Sequence, residues 1–464
     1  MSWKTLESTG WGRAHSASGD VARPERASQL KRLLAQAPVP AFGMRRSYGD
    51  AALTSDAPSL DMTRLDRVLS FDDTSGLVHV EAGLPIGDLG RMFAAKGWIP
   101  PVMPGTGFAT IGGCIANDVH GKNHHVVGSF GQHVTEITLI QGDKTLVITP
   151  SDKGIFQATV GGMGQTGVIA SAKMKMAPCK GDLMVLTERR IDNLDEFFVA
   201  FDDSTADYTV GWIDATAKGA NLGRGVLEES EITSGVNPGS GKSKSVPFNA
   251  PHWALSAPIV RLFNEMYFRR VPATGRTSVK PITDPFFPLD AIHNWNRLYG
   301  KNGFNQFQCV VPLNATNCLR IMLERIAASG LASPLAVLKK MGAGRAGYMS
   351  FPMEGYTLAV DFPNRGSAEY LVRDLTDLAR EAGGRIYFAK DGLAQAKQIA
   401  GMYPEQETWQ QEVAKADPER AMETNLVRRL QLRGAPAAPK ASKDQSETAL
   451  SDTGLSNTGK GERA

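Results

Sequence analysis

Cysteine and excess charge are both scarce in this 464-residue chain. The four cysteines, Cys114, Cys179, Cys309 and Cys318, lie far apart and form no CxxC pair. This spacing argues against a disulfide framework or a zinc site and favours a reducing compartment. The formal net charge is only +3, so there is no electrostatic case for nucleic-acid binding.

Long apolar runs are also lacking. No run approaches about 18 apolar residues, the length typical of a membrane span, and the N-terminal MSWKTLESTGWGRAHS has no apolar core of signal-peptide length. We therefore expect a soluble, cytoplasmic protein, with peripheral contact at the inner membrane left open. Hydrophobic residues make up 42% of the chain, which is enough for a core, and the length suggests two or three domains.

Short β-type runs alternate with glycine-rich turns in residues 1–180. The run from Leu77 to Pro85 predicts a strand, and Ile137 to Thr149 predicts a hairpin around Gly142-Asp143. After the first strand the spacing predicts a helix whose apolar face carries Ile86, Leu89, Met92 and Phe93.

Residues 181–384 alternate strand patterns with amphipathic helices. Strands are predicted in DYTVGWIDA, FQCVVPL and YTLAVDFP. One predicted helix is expected to start at an N-cap, Ser367, and to stop at Gly383. Another carries the apolar stripe Leu319, Met322, Leu323 and Ile326. The pattern predicts an antiparallel sheet covered by helices.

Two polar stretches are expected to lack regular structure. Residues 228–245 are rich in Gly and Ser and predict a mobile loop. Its GSGKS motif does not fit a phosphate-binding loop, because Val236 stands where that pattern requires glycine. Residues 434–464 have little apolar bulk, so they predict a disordered tail.

Glycine-rich segments carry the chemical signals. In FGMRRSYGD, from Phe42 to Asp50, glycines permit a turn whose backbone N–H groups face an anion, although a plain surface turn fits equally well. In PGTGFATIGGCIANDVHGKNHH, Gly112 and Gly113 allow the backbone to lie against a flat ligand or a pyrophosphate.

Three histidines close that second segment. His120, His124 and His125 point in different directions on a helix or a strand, and no carboxylate or cysteine completes a ligand set, so we predict no metal. A hydrogen-bonding role for His120 beside a cofactor and an ordinary buried histidine both stay open.

A third segment, FQATVGGMGQTGVIASAKMKM, has the bare spacing of a dinucleotide fingerprint. Gly162, Gly164 and Gly167 match it, but a β-type run follows where the Rossmann pattern requires a helix. We therefore expect no NAD binding by that route.

Taken in order, these motifs resemble one family closely. GWGR, RRSYGD, PGT, TIGG, HGKNHHVVGSFG, ATVGGMGQTG, WNRLYG, FQC, SFP, VDFP, YFAKD and MYP are similar to those of flavin-dependent oxidases of the vanillyl-alcohol-oxidase type, in particular the branch that oxidises polyprenyl-phosphoryl ribose. The likeness runs from about residue 10 to 433. It implies an α+β fold with a two-part FAD-binding domain of the PCMH type and an antiparallel-sheet cap that binds substrate. The FAD domain would be 1–180, the cap 181–384, and 385–433 would return to the FAD domain.

The resemblance also implies which residues bind FAD. Many relatives attach the flavin covalently through a histidine where this chain has Arg46, so we expect FAD without a covalent bond. Position 45 is usually glycine in the family, and Arg45 could crowd the loop or pair with phosphate. The implied FAD-binding residues are Gly43, Arg46, Ser47, Tyr48, Gly49, Asp50, Gly105, Thr110, Ile111, Gly112, Gly113, Asn117, Asp118, Val119, His120, Ile169 and Tyr387.

An active site is implied in the same way. Catalysis would depend on Lys390, His120 and Tyr48, with a buried Lys390 stabilising the negative charge that develops on the flavin. From the residue types alone, Trp212 and Tyr299 fit a core position equally well. The implied substrate-binding residues are Lys122, Trp212, Tyr299, Gln306, Gln308, Lys339 and Lys390.

The implied reaction is oxidation of the 2-hydroxyl of a polyprenyl-phosphoryl-β-D-ribose to a ketone. This would be the first half of an epimerisation to the arabinose form used in cell-wall arabinan. A short-chain dehydrogenase/reductase would complete it, and oxygen or a quinone would accept the electrons. Two alternatives stay open. One is a free sugar, sugar alcohol or aldonolactone as substrate, and the other is a flavoprotein without turnover, which the joint presence of Lys390, His120 and Lys122 disfavours.

Overall fold

A computed structural model describes residues 3–239, 241 and 243–434. Ser240 and Lys242 of the predicted mobile loop lie outside the described residues, as does the predicted tail beyond Gly434.

The N-terminal part begins with a four-stranded sheet in the order β1-β2-β4-β3. Strand β4 is parallel to β2 and β3, while β1 pairs with β2 antiparallel. Helix α1 (Ala27–Gln36) buries Leu30, Leu33 and Leu34. The elements are β1 (Lys4–Thr9), β2 (Ser16–Ala22), α1 (Ala27–Gln36), β3 (Ala41–Phe42) and β4 (Ser59–Asp61).

A five-stranded antiparallel sheet follows, in the order β5-β6-β10-β8-β9. Its elements, with a short pair formed by β7 and β11, are β5 (Val68–Asp72), β6 (Leu77–Glu81), α2 (Ile86–Phe93), β7 (Trp98–Ile99), α3 (Ile111–Ala116), α4 (His124–Val127), β8 (Val134–Gln141), β9 (Lys144–Ile148), α5 (Lys153–Thr159), β10 (Val168–Lys175) and β11 (Ala177–Pro178).

The structure confirms most predictions for this part. The strand at Leu77 and the hairpin around Gly142 are present, and the glycine-rich segment from 162 to 167 runs into strand β10, not into a helix. One detail was wrong. Helix α2 buries Ile86, Leu89 and Phe93, whereas Met92 is 48% exposed. Met92 lies at the edge of the apolar stripe of α2, and only the centre of that stripe is covered.

The middle part forms a sheet whose first seven strands have the order β16-β12-β14-β13-β19-β20-β18, all antiparallel. Its elements are β12 (Leu183–Ile191), α6 (Leu194–Asp203), β13 (Tyr208–Ile213), β14 (Gly225–Thr233), β15 (Lys244–Ser245), α7 (Ala257–Arg269), β16 (Arg276–Pro281), α8 (Thr283–Phe286), β17 (Ile292–His293), β18 (Phe304–Val311), α9 (Thr316–Ser329), β19 (Ala336–Met341), β20 (Gly355–Pro363) and α10 (Gly366–Glu381).

The predicted antiparallel sheet with covering helices is therefore confirmed. The predicted mobile loop was wrong at its start, because residues 228–233 belong to β14 and pair with β12. The apolar stripe of α9 is buried as expected. Helix α10 ends before Gly383, which takes a positive φ of 73° as a C-terminal glycine should. The predicted N-cap was wrong, because the helix starts at Gly366 after Arg365 and Ser367 lies inside it.

The C-terminal segment contacts both parts. Its first strand pairs with β18 as the eighth strand of the large sheet, and α12 packs against α5. The indole N–H of Trp409 donates to the carbonyl of Ala158 over 3.2 Å. The elements are β21 (Arg385–Ile386), α11 (Ala396–Ile399), α12 (Gln406–Ala416) and α13 (Asn425–Arg429).

Arg429 joins this segment to the N-terminal glycine-rich loop. Its guanidinium donates to both carboxylate oxygens of Asp50, at 2.9 and 2.7 Å, and to Asp391 at 3.0 Å. Both carboxylates are only 6% exposed. Between them, a side chain at Gly49 would collide with the carbonyl of Asp391. The two loops that carry Tyr48 and Lys390 are therefore fixed against each other.

We predict that Arg429→Met lowers the free energy of unfolding by about 3–5 kcal/mol, because two buried carboxylates lose their cation. Urea unfolding of the purified protein measures this. Arg428→Met is the matched control, since that side chain is exposed on the same helix. Equal destabilisation by both substitutions would contradict the assigned role of Arg429.

Candidate functional site

A cavity opens where the N-terminal loops, strands β18 to β20 and the segment after β21 meet. It collects most of the residues that the sequence predicted for cofactor and substrate. Those lining it are Gly43, Arg46, Ser47, Tyr48, Gly105, Thr110, Gly112, Gly113, Asn117, Val119, His120, Ile169, Gln306, Gln308, Lys339, Tyr387 and Lys390.

Two adjacent arginines lie on the cavity wall without an ion-pair partner among the described residues. The Arg45 guanidinium stacks on Phe42 at 3.6 Å from the ring centroid, and that of Arg46 lies 4.0 Å from the Trp11 centroid. The Nε atom of each is buried without a hydrogen-bond partner. Burial lowers the pKa of both groups, so an anion placed here would be stabilised. This wall fits the diphosphate of FAD, for which Arg46 is the expected cation.

Glycine shapes the same wall. A side chain at Gly43 would collide with that of Thr110, whose hydroxyl caps α3 by accepting from the N–H of Gly113 at 3.3 Å. Arg45 has a φ of +48°, in the left-handed region that glycine adopts without strain. The loop therefore keeps the conformation that the usual family glycine would favour.

Two lysines, Lys339 and Lys390, line the end of the cavity opposite the arginines. Burial lowers the pKa of Lys390 to about 7, although Asp361 acts against this shift. The Lys390 ammonium lies 3.4 Å from the centroid of the Tyr48 ring, a cation–π contact. Burial and the nearby Lys122 lower the pKa of Lys339 to about 7 as well.

His120 is held as a neutral imidazole. Burial, and then the charge of Lys339, keep its pKa well below the usual value. Its Nε2 lies 3.2 Å from Nε2 of Gln308, and its Nδ1 is buried without a partner. Gln308 also donates to the hydroxyl of Thr357 at 3.2 Å. The Nε2 atom of His120 is thus engaged by Gln308, whereas its Nδ1 atom is available to a bound molecule.

Asp361 is a cavity residue that the sequence analysis missed. It faces Gln306 across the β18–β20 pair and accepts hydrogen bonds from Gln306 and, at 3.1 Å, from the hydroxyl of Tyr299. Burial raises the pKa of Asp361 to about 7. Asp361 lies two residues beyond Ala359, which also lines the cavity, so the two share one face of β20; this alternation was the signal that could have found it.

Further lining residues were not predicted from the sequence, although Trp11 and Trp295 lie in the GWGR and WNRLYG motifs. Asp290 accepts from the hydroxyl of Thr106 at 2.8 Å and the N–H of Gly107 at 2.7 Å. Trp11 and Trp295 supply aromatic wall from segments distant in sequence.

Three predicted substrate residues do not line the cavity. The Trp212 indole donates to the carbonyl of Pro334 and packs on Tyr267. Tyr299 stacks on Phe304 behind the wall. Lys122 pairs with Glu228 at 3.3 Å and reaches the site only through its charge. Any direct contact of these three with substrate would require rearrangement.

Four predicted FAD residues also lie outside the lining and instead support it. Ile111 is in the core, Gly49 lies against Asp391, and Asp50 binds Arg429. Asp118 is fully buried and accepts from the hydroxyls of Ser129 and Ser350 and from the N–H groups of Gly131 and Ala346. These four residues hold the loops in place, and the residues next to them in sequence line the cavity.

His120, His124 and His125 contact different hydrogen-bond partners, so their ring nitrogens do not point at one common metal position. The Nε2 of His124 contacts the carbonyl of Gly344 at 2.8 Å, and that of His125 contacts the carbonyl of Ala206 at 3.2 Å.

Within the described residues, no helix is long and apolar enough to cross a membrane.

Comparison with known proteins gives matches of very different extent. A family model described as an FAD binding domain matches residues 20–150. Decaprenylphosphoryl-β-D-ribose oxidase of Mycolicibacterium smegmatis is 34% identical over 448 residues, which cover 91% of this chain and 97% of that protein. An uncharacterized protein of Streptomyces coelicolor is 28% identical over 365 residues, 74% of this chain and 99% of that protein. L-gulono-1,4-lactone dehydrogenase of Mycobacterium tuberculosis is 27% identical over 197 residues, 39% of this chain and 44% of that protein.

We predict that Arg45→Gly leaves the FAD content of the purified protein unchanged, because the loop already has the backbone conformation that glycine prefers. Arg46→Met, in contrast, removes a cation expected at the diphosphate and lowers that content. The ratio of flavin to protein absorbance measures both. A large loss of FAD in Arg45→Gly would instead assign a phosphate to Arg45.

Proposed function

Because the chain belongs to the family of FAD-dependent decaprenylphosphoryl-β-D-ribose oxidases, we propose that it oxidises the 2-hydroxyl of a polyprenyl-phosphoryl-β-D-ribose to a 2-keto sugar. It is an FAD-dependent oxidoreductase that acts on CH–OH groups. The ketone would be the intermediate of an epimerisation to the arabinose form.

The observation that carries the proposal is the surplus of cations lining one end of the cavity. Lys339 and Lys390 both line it and are partly buried, and Asp361 is the carboxylate beside them. A neutral sugar would leave these charges uncompensated, whereas a phosphodiester supplies the missing negative charge. The site therefore suits a phosphorylated sugar better than a free one.

We assign each polar residue a task in that reaction. Bound FAD supplies the acceptor for the hydride that leaves the carbinol carbon. Lys390 stabilises the negative charge that the cofactor gains, and Tyr48 holds the ammonium through its ring. The Nε2 atom of neutral His120 accepts from Gln308, so its Nδ1–H would donate to the oxygen of the reacting hydroxyl, whose proton would leave to solvent.

Substrate binding falls to the strands of the large sheet. Gln306 and Gln308 are two residues apart on β18, so both face the cavity and can bind sugar hydroxyls. Lys339 on β19 would neutralise the phosphate. In this scheme residues 1–180 with 385–433 hold FAD, and residues 181–384 form the substrate cap.

The wider reaction needs two further participants. A short-chain dehydrogenase/reductase would reduce the ketone on the opposite face, and oxygen or a quinone would reoxidise the flavin. A lipid-linked substrate would place the protein at the inner face of the membrane.

A second candidate is oxidation of a free sugar, sugar alcohol or aldonolactone. The partial match to L-gulono-1,4-lactone dehydrogenase favours it, although that match covers only 39% of the chain.

We predict that a polyprenyl-phosphoribose bleaches the oxidised flavin band of the purified protein without air, whereas free ribose, ribitol and gulonolactone do not. Anaerobic absorbance spectroscopy in a stopped-flow instrument measures this. Bleaching by the lactone alone would establish the second candidate. No bleaching by any alcohol would contradict both.

Lys390→Ala serves as the internal control of that assay. It should keep its FAD and lose most of the reduction rate, because the developing charge on the cofactor is no longer compensated. Lys301→Ala, on the exposed surface, should behave as the wild type.

Substrate affinity should also depend on pH. Free Lys339 has a pKa of about 7, and only its protonated form attracts a phosphodiester, so binding is tight below pH 7 and weakens above it by up to about tenfold per pH unit. Calorimetric titration of Lys390→Ala, which should bind without turning over, measures this. Lys339→Gln in that background should bind weakly with a flat pH profile, and an unchanged profile would refute the assignment.

A further inference from the structure

Helix α7 has two apolar faces, of which only one is covered. Val260, Asn264 and Phe268 are buried, and Phe268 packs with Trp212 of β13 and Val226 of β14. The opposite stripe consists of Ile259, Leu262, Phe263 and Met266, which are 39, 62, 43 and 58% exposed. Their spacing of i, i+3, i+4 and i+7 is that of a helix face meant for burial, whereas the solvent face of a surface helix is normally polar.

The segment that precedes α7 also exposes large apolar side chains. Phe248 and Trp253 are 70% and 66% exposed. We call these two residues, together with Ile259, Leu262, Phe263 and Met266, the apolar face. A soluble protein rarely exposes so many large apolar side chains within 19 residues of chain, so a partner is indicated.

Charge around the apolar face identifies the kind of partner. Six Lys or Arg residues lie between 243 and 282, and three of them are already ion-paired: Arg269 with Glu265, and Arg270 and Arg276 with Glu188. Glu265 is already paired with Arg224 and Arg269. Lys244 and Arg261 are exposed, and neither has an ion-pair partner among the described residues. Exposed aromatic and aliphatic groups beside uncompensated cations match an anionic lipid surface.

The apolar face is also coupled to the cavity. Arg297 donates to the carbonyls of Val246 and Pro247 at 3.0 Å each, and its own carbonyl accepts from Ala250. It lies in the short helix Trp295–Tyr299, whose Trp295 lines the cavity. Leu255, between Trp253 and α7, packs on that same aromatic cluster.

We propose that the apolar face docks on an anionic membrane, with its aromatic and aliphatic groups among the lipid headgroups and Arg261 on the phosphates. This holds the cavity wall at the bilayer, so that a polyprenyl chain can stay in the lipid while its sugar reaches the site. That last consequence rests on the proposed function, but the docking itself does not.

Co-sedimentation of the FAD-loaded protein with vesicles tests the proposal. The wild type should bind vesicles of phosphatidylcholine with phosphatidylglycerol more tightly than pure phosphatidylcholine, and salt should weaken binding. Leu262→Ser with Phe263→Ser should reduce partitioning at least about tenfold, since two large apolar groups leave the lipid. Val147→Ser with Val199→Ser, equally exposed elsewhere, is the matched control and should bind as the wild type.

Several results would overturn the proposal. They are wild-type protein that ignores anionic vesicles, a double variant that binds as well as the wild type, and sedimentation velocity that shows a wild-type dimer which the double variant loses. The last would make the apolar face an interface between two copies. Flavin reduction by a short, water-soluble phosphoribose analogue keeps the two questions apart. It should be equal in all variants, and its absence would count against the proposed function alone.

Discussion

Buried positive charge is the constraint on which the rest of this structure depends. Arg45, Arg46, Lys339 and Lys390 line one cavity, and among the described residues only Asp290 and Asp361 line it as carboxylates. Removing cations from water is unfavourable, which is why the pKa values of both lysines are lowered to about 7. Anions relieve this cost. In the proposed function, the diphosphate of FAD would relieve it at one end and a sugar phosphate at the other, so one physical requirement would account for both ligands.

The fold meets that requirement by fixing three distant pieces of chain around the cavity. Arg429 holds the loop of Tyr48 against the segment of Lys390, and Asp118 ties the histidine-containing loop to residues 346–350. The large sheet supplies Lys339, the glutamines and Asp361 on adjacent strands. Because the supporting bonds are buried, they hold in place the chain segments that carry Tyr48, His120 and Lys390.

Local patterns predicted the elements of the fold, whereas most of the cavity residues were implied by the resemblance to flavin-dependent oxidases. The hairpin at Gly142, the stripe of α9 and the loop around Gly43 follow from spacing and glycine chemistry that neighbours in sequence determine. The failures depended on tertiary contacts. Trp212 and Lys122 are residue types suited to substrate binding, but Trp212 hydrogen-bonds the carbonyl of Pro334 and Lys122 pairs with Glu228. Asp361 was missed because its role arises only when β20 pairs with β18.

The most direct test of the cationic cavity is rebinding of flavins to the apoprotein. The purified protein should be yellow, release its FAD on acid denaturation because no covalent bond holds it, and yield an apoprotein that regains thermal stability with FAD but not with riboflavin, which has no phosphate. Fluorescence titration with both compounds measures the difference. An apoprotein that binds riboflavin as tightly as FAD, or that stays colourless with either, would contradict the account.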